Sequence, residues 1–481
     1  MANSLKKNFG YNLILTFCNY LFPLLTYPYV SRVLGVEKIG VCNFVDGIIN
    51  YFVLFAALGV SSYGVREIAK CKSDKERCNT VFSNLFVINS IGTICASVIL
   101  IVCTIEVPEM AAYKNFIWIG LVKLVFSLFL TEWFFQGMQE FRYITIRSVF
   151  VRIAYVILIF VLVKEKSDAD IYYGLTSLVV VVNSVFNWSY SRRFRKFSFK
   201  SINLRLFIVP VLVFGYYRIL TSMYTSFNTV FLGFTSGEVE VGYFTTATKL
   251  YSIIMGVFTA FTTVMVPRAS ELLKEGNIAK LQDMANKTFS LLSILALPMI
   301  IYSLFCADNI ILVLSGQGYE GAIVPFRIVI FLLLIVGMEQ ICIQQFLMAS
   351  NSNKSIFNVS TVGAVTGILL NIILTPKLGA IGSSMAWGVS ELSVLCVGLH
   401  LLKKHVGIVL NFRMLVNNML WSLLYIFPLL IVYVLKLSML PMLILSGVAI
   451  MSVFLIINLK LNKNDFIVEN VKKIIIKHSF K

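Results

Sequence analysis

Runs of about 20 apolar residues, bounded by charges, glycine and proline, recur along nearly the whole chain. A run of that length crosses a bilayer as an α-helix rising 1.5 Å per residue. The runs fall near 11–31, 41–61, 80–104, 114–134, 144–163, 171–190, 207–232, 243–266, 288–306, 323–348, 356–375, 383–401, 415–435 and 442–459. They predict an all-α integral membrane protein with about 14 transmembrane helices. Composition agrees: 58% of the 481 residues are hydrophobic and 13% charged, whereas soluble domains are about 45–50% apolar and about 25% charged.

Two of these runs carry a full positive charge well inside them, Arg218 in 207–232 and Lys249 in 243–266. A cation at the bilayer centre costs roughly 2.5–3.5 kcal/mol on insertion scales, so it is expected to face a wet cavity or a partner. Arg218, Ser222, Thr225 and Thr229 line one helix face by their spacing. Lys249, Ser252, Gly256, Thr259 and Thr263 do the same on the next span. Two such stripes on adjacent helices fit the wall of a pathway for something anionic, although small and hydroxyl residues also line helix–helix contacts. The first span has its own polar stripe, Asn8, Asn12, Thr16, Asn19, Pro23 and Thr26, and Pro23 and Pro28 are expected to bend or loosen that helix.

Asp46, Lys123, Glu132, Arg152, Arg327, Glu339 and Glu391 also fall within spans. Glu132 and Arg327 lie near span ends and are expected to snorkel. Asp46 extends a stripe with Asn43 and Asn50, and Glu391 one with Ser384 and Gly388. Asp46, Glu339 and Glu391 are candidates either for carrying a proton or sodium ion or for neutralising a nearby cation.

The net charge of +18 follows the loops. With the N-terminus placed in the cytoplasm, inner loops and tail hold 29 Lys and Arg, against seven in the outer loops. That asymmetry predicts cytoplasmic termini and excludes nucleic acid as the reason for the charge. The basic and aromatic run 192–205 reads as a linker between two lobes, held by anionic headgroups. The tail from 465 places Ile467, Val471, Ile474 and Ile475 on one side, suiting a helix in the interface or a frayed basic end. Nine scattered cysteines and three histidines, with no CxxC, predict no metal site, disulfide framework or cofactor. No cleavable signal peptide is expected, because Met1–Asn12 leads straight into an apolar run without an A-x-A site.

The chain also repeats itself. SRVLG (31–35) precedes Gly40 and Arg66, and VFLG (230–233) precedes Gly242 and Arg268, both Gly-to-Arg separations being 26 residues. Six spans separate the equivalent helices, so both halves share an orientation. A pseudo-two-fold axis along the membrane normal, with a substrate site between lobes, is the expectation. The predicted organisation is an N-terminal lobe of six helices (1–200), a C-terminal lobe of six (201–405), and two extra helices with a basic tail (406–481).

YPYVSRVLGVEKIG (27–40), NYFVLFAALGVSSYGVREIAK (50–70), VFLGFTSGEVEVGYFTTATKL (230–250), VPRASELLK (266–274) and KLGAIGSSMAWGVSE (377–391) resemble the polysaccharide-repeat-unit flippases. These are Wzx-type O-antigen and capsule transporters of the multidrug/oligosaccharidyl-lipid/polysaccharide exporter superfamily. The resemblance implies two six-helix bundles in a V-shaped, MATE-like arrangement with alternating access. It implies a substrate of undecaprenyl-pyrophosphate-linked oligosaccharide, moved from the cytoplasmic to the outer leaflet of the bacterial inner membrane. Further implied partners are membrane lipids, a polysaccharide polymerase and a chain-length regulator. Arg32, Arg66 and Lys249 match the family's cationic cavity positions. With Arg152 and Arg218, they are the candidates for the pyrophosphate and glycan cavity. Some relatives carry an acidic residue in the seventh helix where this chain has Asn228, so ion coupling is not carried over there.

Two other classes compete. A drug or cation antiporter of the same fold would favour a site dominated by carboxylates, whereas the middle of this chain is dominated by cations. A membrane polymerase or glycosyltransferase needs a sizeable loop or domain with catalytic carboxylates or histidines. The longest outer loop here is about 307–322.

Overall fold

The computed structural model describes residues 2–197, 202–350 and 353–461. The interfacial tail helix, part of the basic linker and the side chains of Asn8 and Asn12 lie outside the described residues. All regular structure among the described residues is helical, and 12 stretches are long and apolar enough to cross a membrane.

The sequence predicts about 14 spans, and the difference lies in two stretches much longer than a bilayer requires, Ile14–Ala57 and Lys354–Val406. Each contains one glycine outside helical geometry, Gly35 (φ 76°, ψ 170°) and Gly379 (φ 54°, ψ −130°). Glycine adopts positive φ without the Cβ penalty. The chain folds back at both. The Tyr27 and Thr246 hydroxyls are 2.5 Å apart, and Asn43 Nδ2 lies 2.9 Å from the hydroxyl of the adjacent Thr245. In a straight helix residues 27 and 43 would be about 24 Å apart. The hydroxyls of Thr375 and Ser383 likewise meet at 3.1 Å, where a straight helix would put about 12 Å between those residues. Pro23 and Pro28 stay within helical geometry, and the break falls beyond them, at Gly35.

The internal repeat appears in the backbone with one change of register. Gly237 (φ 86°, ψ 176°) has nearly the dihedrals of Gly35 and ends the helix Phe227–Ser236 before Glu238–Lys274 begins. The structural counterpart of Gly35 is therefore Gly237, not the Gly233 of the VFLG motif. Gly233 instead packs on the Phe44 ring. Gly40 and Gly242 meet reciprocally: a Cβ on Gly40 would overlap the Glu238 carbonyl, and one on Gly242 the Val36 carbonyl. Missing side chains let the two backbones touch, as small residues do where membrane helices cross.

Buried apolar side chains fall into separate groups. One draws on residues between 247 and 415, and two others draw mainly on residues between 27 and 211. A small fourth group, Tyr425, Leu429, Ile450 and Ile457, joins the last two long helices to Tyr302 and Phe305. Large apolar side chains such as Ile94, Phe150, Val213 and Phe427 point outward, as a lipid-facing surface requires.

The structure supplies partners that the sequence does not give. Glu132, itself 41% exposed, pairs at 2.6 Å with Arg147, whose side chain is only 4% exposed. Arg147, near the start of the predicted run 144–163, lies inside the helix Phe141–Leu162 and also donates to Asn187 and Ser148. A buried guanidinium is tolerated only with such a set of acceptors. Arg327 is paired with Asp308 at 2.7 Å, and the expected loop at 307–322 begins with the helix Ala307–Ser315.

Candidate substrate cavity

A cavity of about 530 Å³ lies between the helix following Gly35 and the two helices on either side of Gly237. The first wall supplies Asn43, Asp46, Asn50 and Tyr51, the second Arg218, Ser222, Thr225 and Thr229, and the third Thr245, Thr248 and Lys249. The helix Leu204–Thr225 breaks at Ser226 before Phe227 resumes it, so the Arg218 stripe crosses this break while still facing the cavity. The volume lies within the 300–1,000 Å³ usual for small-ligand sites.

The two ends of the cavity region differ. Around the three turn glycines the helices are tied together. Ala380 N–H donates to Glu240 at 2.7 Å, Ser236 hydroxyl to Thr375 O at 3.3 Å, and Tyr319 hydroxyl to Ser31 O at 3.2 Å. Leu58, Ser61 and Arg218 line the cavity away from those turns.

Lys249 is half-buried, donates to Asn43 Oδ1 at 3.0 Å and lies 4.9 Å from the centre of the Tyr27 ring. Both groups orient the ammonium and neither neutralises it. Arg218 is exposed and has no ion-pair partner among the described residues. Asp46 is already spoken for: Lys123 Nζ lies 2.5 Å from its Oδ1, Asn50 Nδ2 donates to Oδ2 at 3.0 Å, and Tyr173 hydroxyl donates at 3.4 Å. Asp46 is ion-paired with Lys123, and neither Arg218 nor Lys249 has a carboxylate within ion-pair distance among the described residues. The wall therefore presents excess positive charge.

The structure brings Arg218, Lys249 and Asp46 together and leaves the other candidates elsewhere. Arg32 is exposed beside Gly316 and donates to Val313 O in the last turn of Ala307–Ser315. Arg66 is exposed, paired with Glu67 at 3.4 Å, with its guanidinium 5.6 Å from the Phe214 ring centre. Arg152 is half-buried and does not line the cavity. Glu339 and Glu391 sit in the core formed by residues 247–415. Beyond Lys249, Gly256 meets the Tyr20 ring and Thr259 accepts from Gln340 at 3.0 Å, while Ser252 is exposed; none of the three lines the cavity.

Sequence reasoning missed the partners. Lys123 was visible as an intramembrane charge, but its pairing with Asp46 links residues 77 apart. Tyr27 and Asn43 converge on Lys249 only because the chain turns back at Gly35. Tyr51, which donates to Ser222 O at 2.9 Å across the cavity, had no distinguishing signal in the sequence.

Residues 5–273 match the model of a family described as polysaccharide biosynthesis protein. The chain belongs to that family. It is 25% identical over 396 residues, covering 79% of this chain and 92% of the relative, to an Escherichia coli (strain K12) protein named "Putative O-antigen transporter". Among solved structures it matches the lipid II flippase MurJ in an inward closed conformation, with a TM-score of 0.77, 15% identity, and 93% of this chain and 98% of that one covered. An inward-facing multidrug-resistance MATE transporter matches with a TM-score of 0.60, 17% identity, and 80% and 94% covered. The chain thus combines membership of that family with the fold of MurJ and MATE transporters, and 12 helices among its described residues are long and apolar enough to cross a membrane.

Proposed function

We propose that this chain is a flippase that carries undecaprenyl-pyrophosphate-linked oligosaccharide repeat units from the cytoplasmic to the outer leaflet of the bacterial inner membrane by alternating access. The observation that carries the reading is Lys249, held by neutral Asn43 and Tyr27 in a cavity whose one lining carboxylate among the described residues, Asp46, is paired with Lys123. A pyrophosphate bears two or more negative charges and is met by charge-assisted donors. Lys249 and Arg218 would take the pyrophosphate, and the Asn, Ser and Thr walls would face sugar hydroxyls. The same excess positive charge disfavours a cationic drug as cargo.

The reading includes cytoplasmic termini, lobes of residues 1–200 and 201–405, and two further helices. On that orientation the tied end near Gly35, Gly237 and Gly379 is the outer gate, and the cavity faces inward. Arg32 would then act at the outer gate, through its bond to Val313 O, rather than on the substrate inside the cavity. Complementation of a glycan-export defect, with membrane protein level measured alongside, tests the site. Lys249→Ala combined with Arg218→Ala should insert normally and fail to export. Normal export at normal level would place the site elsewhere.

A further inference from the structure

A second cavity, of about 860 Å³, lies away from the one that carries Lys249, between the helix Glu238–Lys274 and the helix that follows it, Ile278–Phe305. Both helices are long and apolar enough to cross a membrane. The short turn between them, with Gly276 at φ 65°, therefore belongs at a membrane surface. Phe261, Met265 and Arg268 line the cleft from the first helix, and Lys280, Lys287 and Leu291 from the second. Both walls are graded in the same sense. The three cations lie toward the turn, and the three apolar side chains lie further from it.

One carboxylate, Asp283, also lines the cleft, against these three cations. It pairs with Lys287 at 2.7 Å, and Arg268 pairs with Glu271, outside the lining, at 2.5 Å. All four of these side chains are more than half exposed, and exposed pairs of this kind hold weakly. A phosphate, a stronger acceptor for both cations, can displace them. Lys280 is exposed and has no ion-pair partner among the described residues.

A cleft that is basic at headgroup level and apolar below it has the polarity of a single membrane lipid. A water-soluble anion would leave Phe261, Met265 and Leu291 uncovered, and a zwitterionic headgroup gains less from the excess of cations. The transported lipid fits less well. At 3.6 residues per turn, Phe261, Met265 and Arg268 fall on the opposite side of their helix from Thr245, Thr248 and Lys249. A lipid whose pyrophosphate sits at Lys249 cannot place that group in this cleft.

We propose that the cleft is a binding site for an anionic glycerophospholipid, with its phosphate held by Arg268, Lys280 and Lys287 and an acyl chain laid along Phe261, Met265 and Leu291. Setting the transported lipid aside rests on the proposed function above; the preference for an anionic phospholipid does not. The bound lipid spans both arms of the hairpin and so bears on the helix that also carries Lys249.

Native mass spectrometry of the purified, delipidated full-length protein reads the site without glycan or transport. Phosphatidylglycerol and phosphatidylcholine with the same acyl chains are titrated separately. The parent should hold phosphatidylglycerol at least about tenfold more tightly, because each basic residue near the surface contributes severalfold. Arg268→Gln/Lys280→Gln/Lys287→Gln should lose that preference. Lys75→Gln/Arg77→Gln/Arg142→Gln removes the same charge from the other half of the chain and should keep it. Met265→Trp fills the apolar part of the cleft, leaves the cations in place and should weaken phosphatidylglycerol severalfold. Melting curves in detergent show that each variant is folded. No preference in the parent, a preference that survives the first triple variant, or one that falls equally in the second would overturn the proposal. So would parent-like binding by folded Met265→Trp, since a phosphate alone would then be the ligand. Undecaprenyl phosphate should not displace the bound phosphatidylglycerol; displacement that persists in Lys249→Ala/Arg218→Ala would assign the cleft to the transported lipid instead. An intact preference beside a parent that does not bind undecaprenyl pyrophosphate would count against the proposed function and leave the phospholipid site standing.

Discussion

The helix after Gly35 and the helix after Gly237 begin alike and then diverge. Both follow a glycine at φ 76° or 86° and both reach a crossing glycine, Gly40 or Gly242, whose backbone meets the other helix. Just beyond, the first carries Asp46 and the second Lys249, both facing the same cavity. Asp46 is neutralised by Lys123. Lys249 is held by an amide oxygen and an aromatic face and keeps its charge for something else. The symmetric part of the repeat builds the cavity, and the asymmetric part gives the cavity its sign.

The largest expected effect comes from breaking the symmetric part. Gly40→Leu would force a side chain into the Glu238 carbonyl. Backbone is the obstacle, so no rotamer relieves it, and overpacking of this kind costs about 1–3 kcal/mol or more. Gly40→Leu should lower the amount of folded protein in the membrane severely. Gly174→Leu, where a Cβ would meet nothing within 4 Å, should not. Immunoblots of detergent-soluble protein compare the two.

Breaking the asymmetric part should spare the fold. Lys249→Ala removes a charge-assisted contact worth about 1.5–3 kcal/mol, or roughly 10- to 150-fold in binding, with membrane level unchanged. Next comes Lys123→Met, which should reduce export by leaving Asp46 unmatched in the cavity. Adding Asp46→Asn should restore much of it. If the double variant is no better than the single, Lys123 acts on its own account and the matched-pair account of Asp46 is wrong. The smallest effect is expected for Arg218→Lys, which keeps the charge of an exposed side chain that no partner holds, so export should fall only severalfold.

The spans, the repeat and the Arg218 stripe were legible because they depend on local spacing, which a helix preserves. Ser222, Thr225 and Thr229 do face the cavity with Arg218. Gly256 and Thr259 had the same spacing from Lys249 but face packed neighbours, because whether a small-residue face meets water or another helix depends on the partner. The cationic motif positions Arg32 and Arg66 were equally conspicuous, yet each reaches a partner outside the cavity, the distant Val313 O or the adjacent Glu67. Glu132 and Arg147 illustrate the same limit. Their pair, with only the Arg147 side chain buried, depends on how two helices approach, which no spacing along either helix encodes.

The central claim is that the cavity recognises a pyrophosphate through Lys249 and Arg218. The direct measurement is the affinity of the purified protein for undecaprenyl pyrophosphate and undecaprenyl monophosphate, in the parent and in Lys249→Ala/Arg218→Ala. The parent should prefer the pyrophosphate by about tenfold or more, one extra charge-assisted contact, and the variant should lose this preference while still binding the lipid tail. An unchanged preference in a folded variant would contradict that claim.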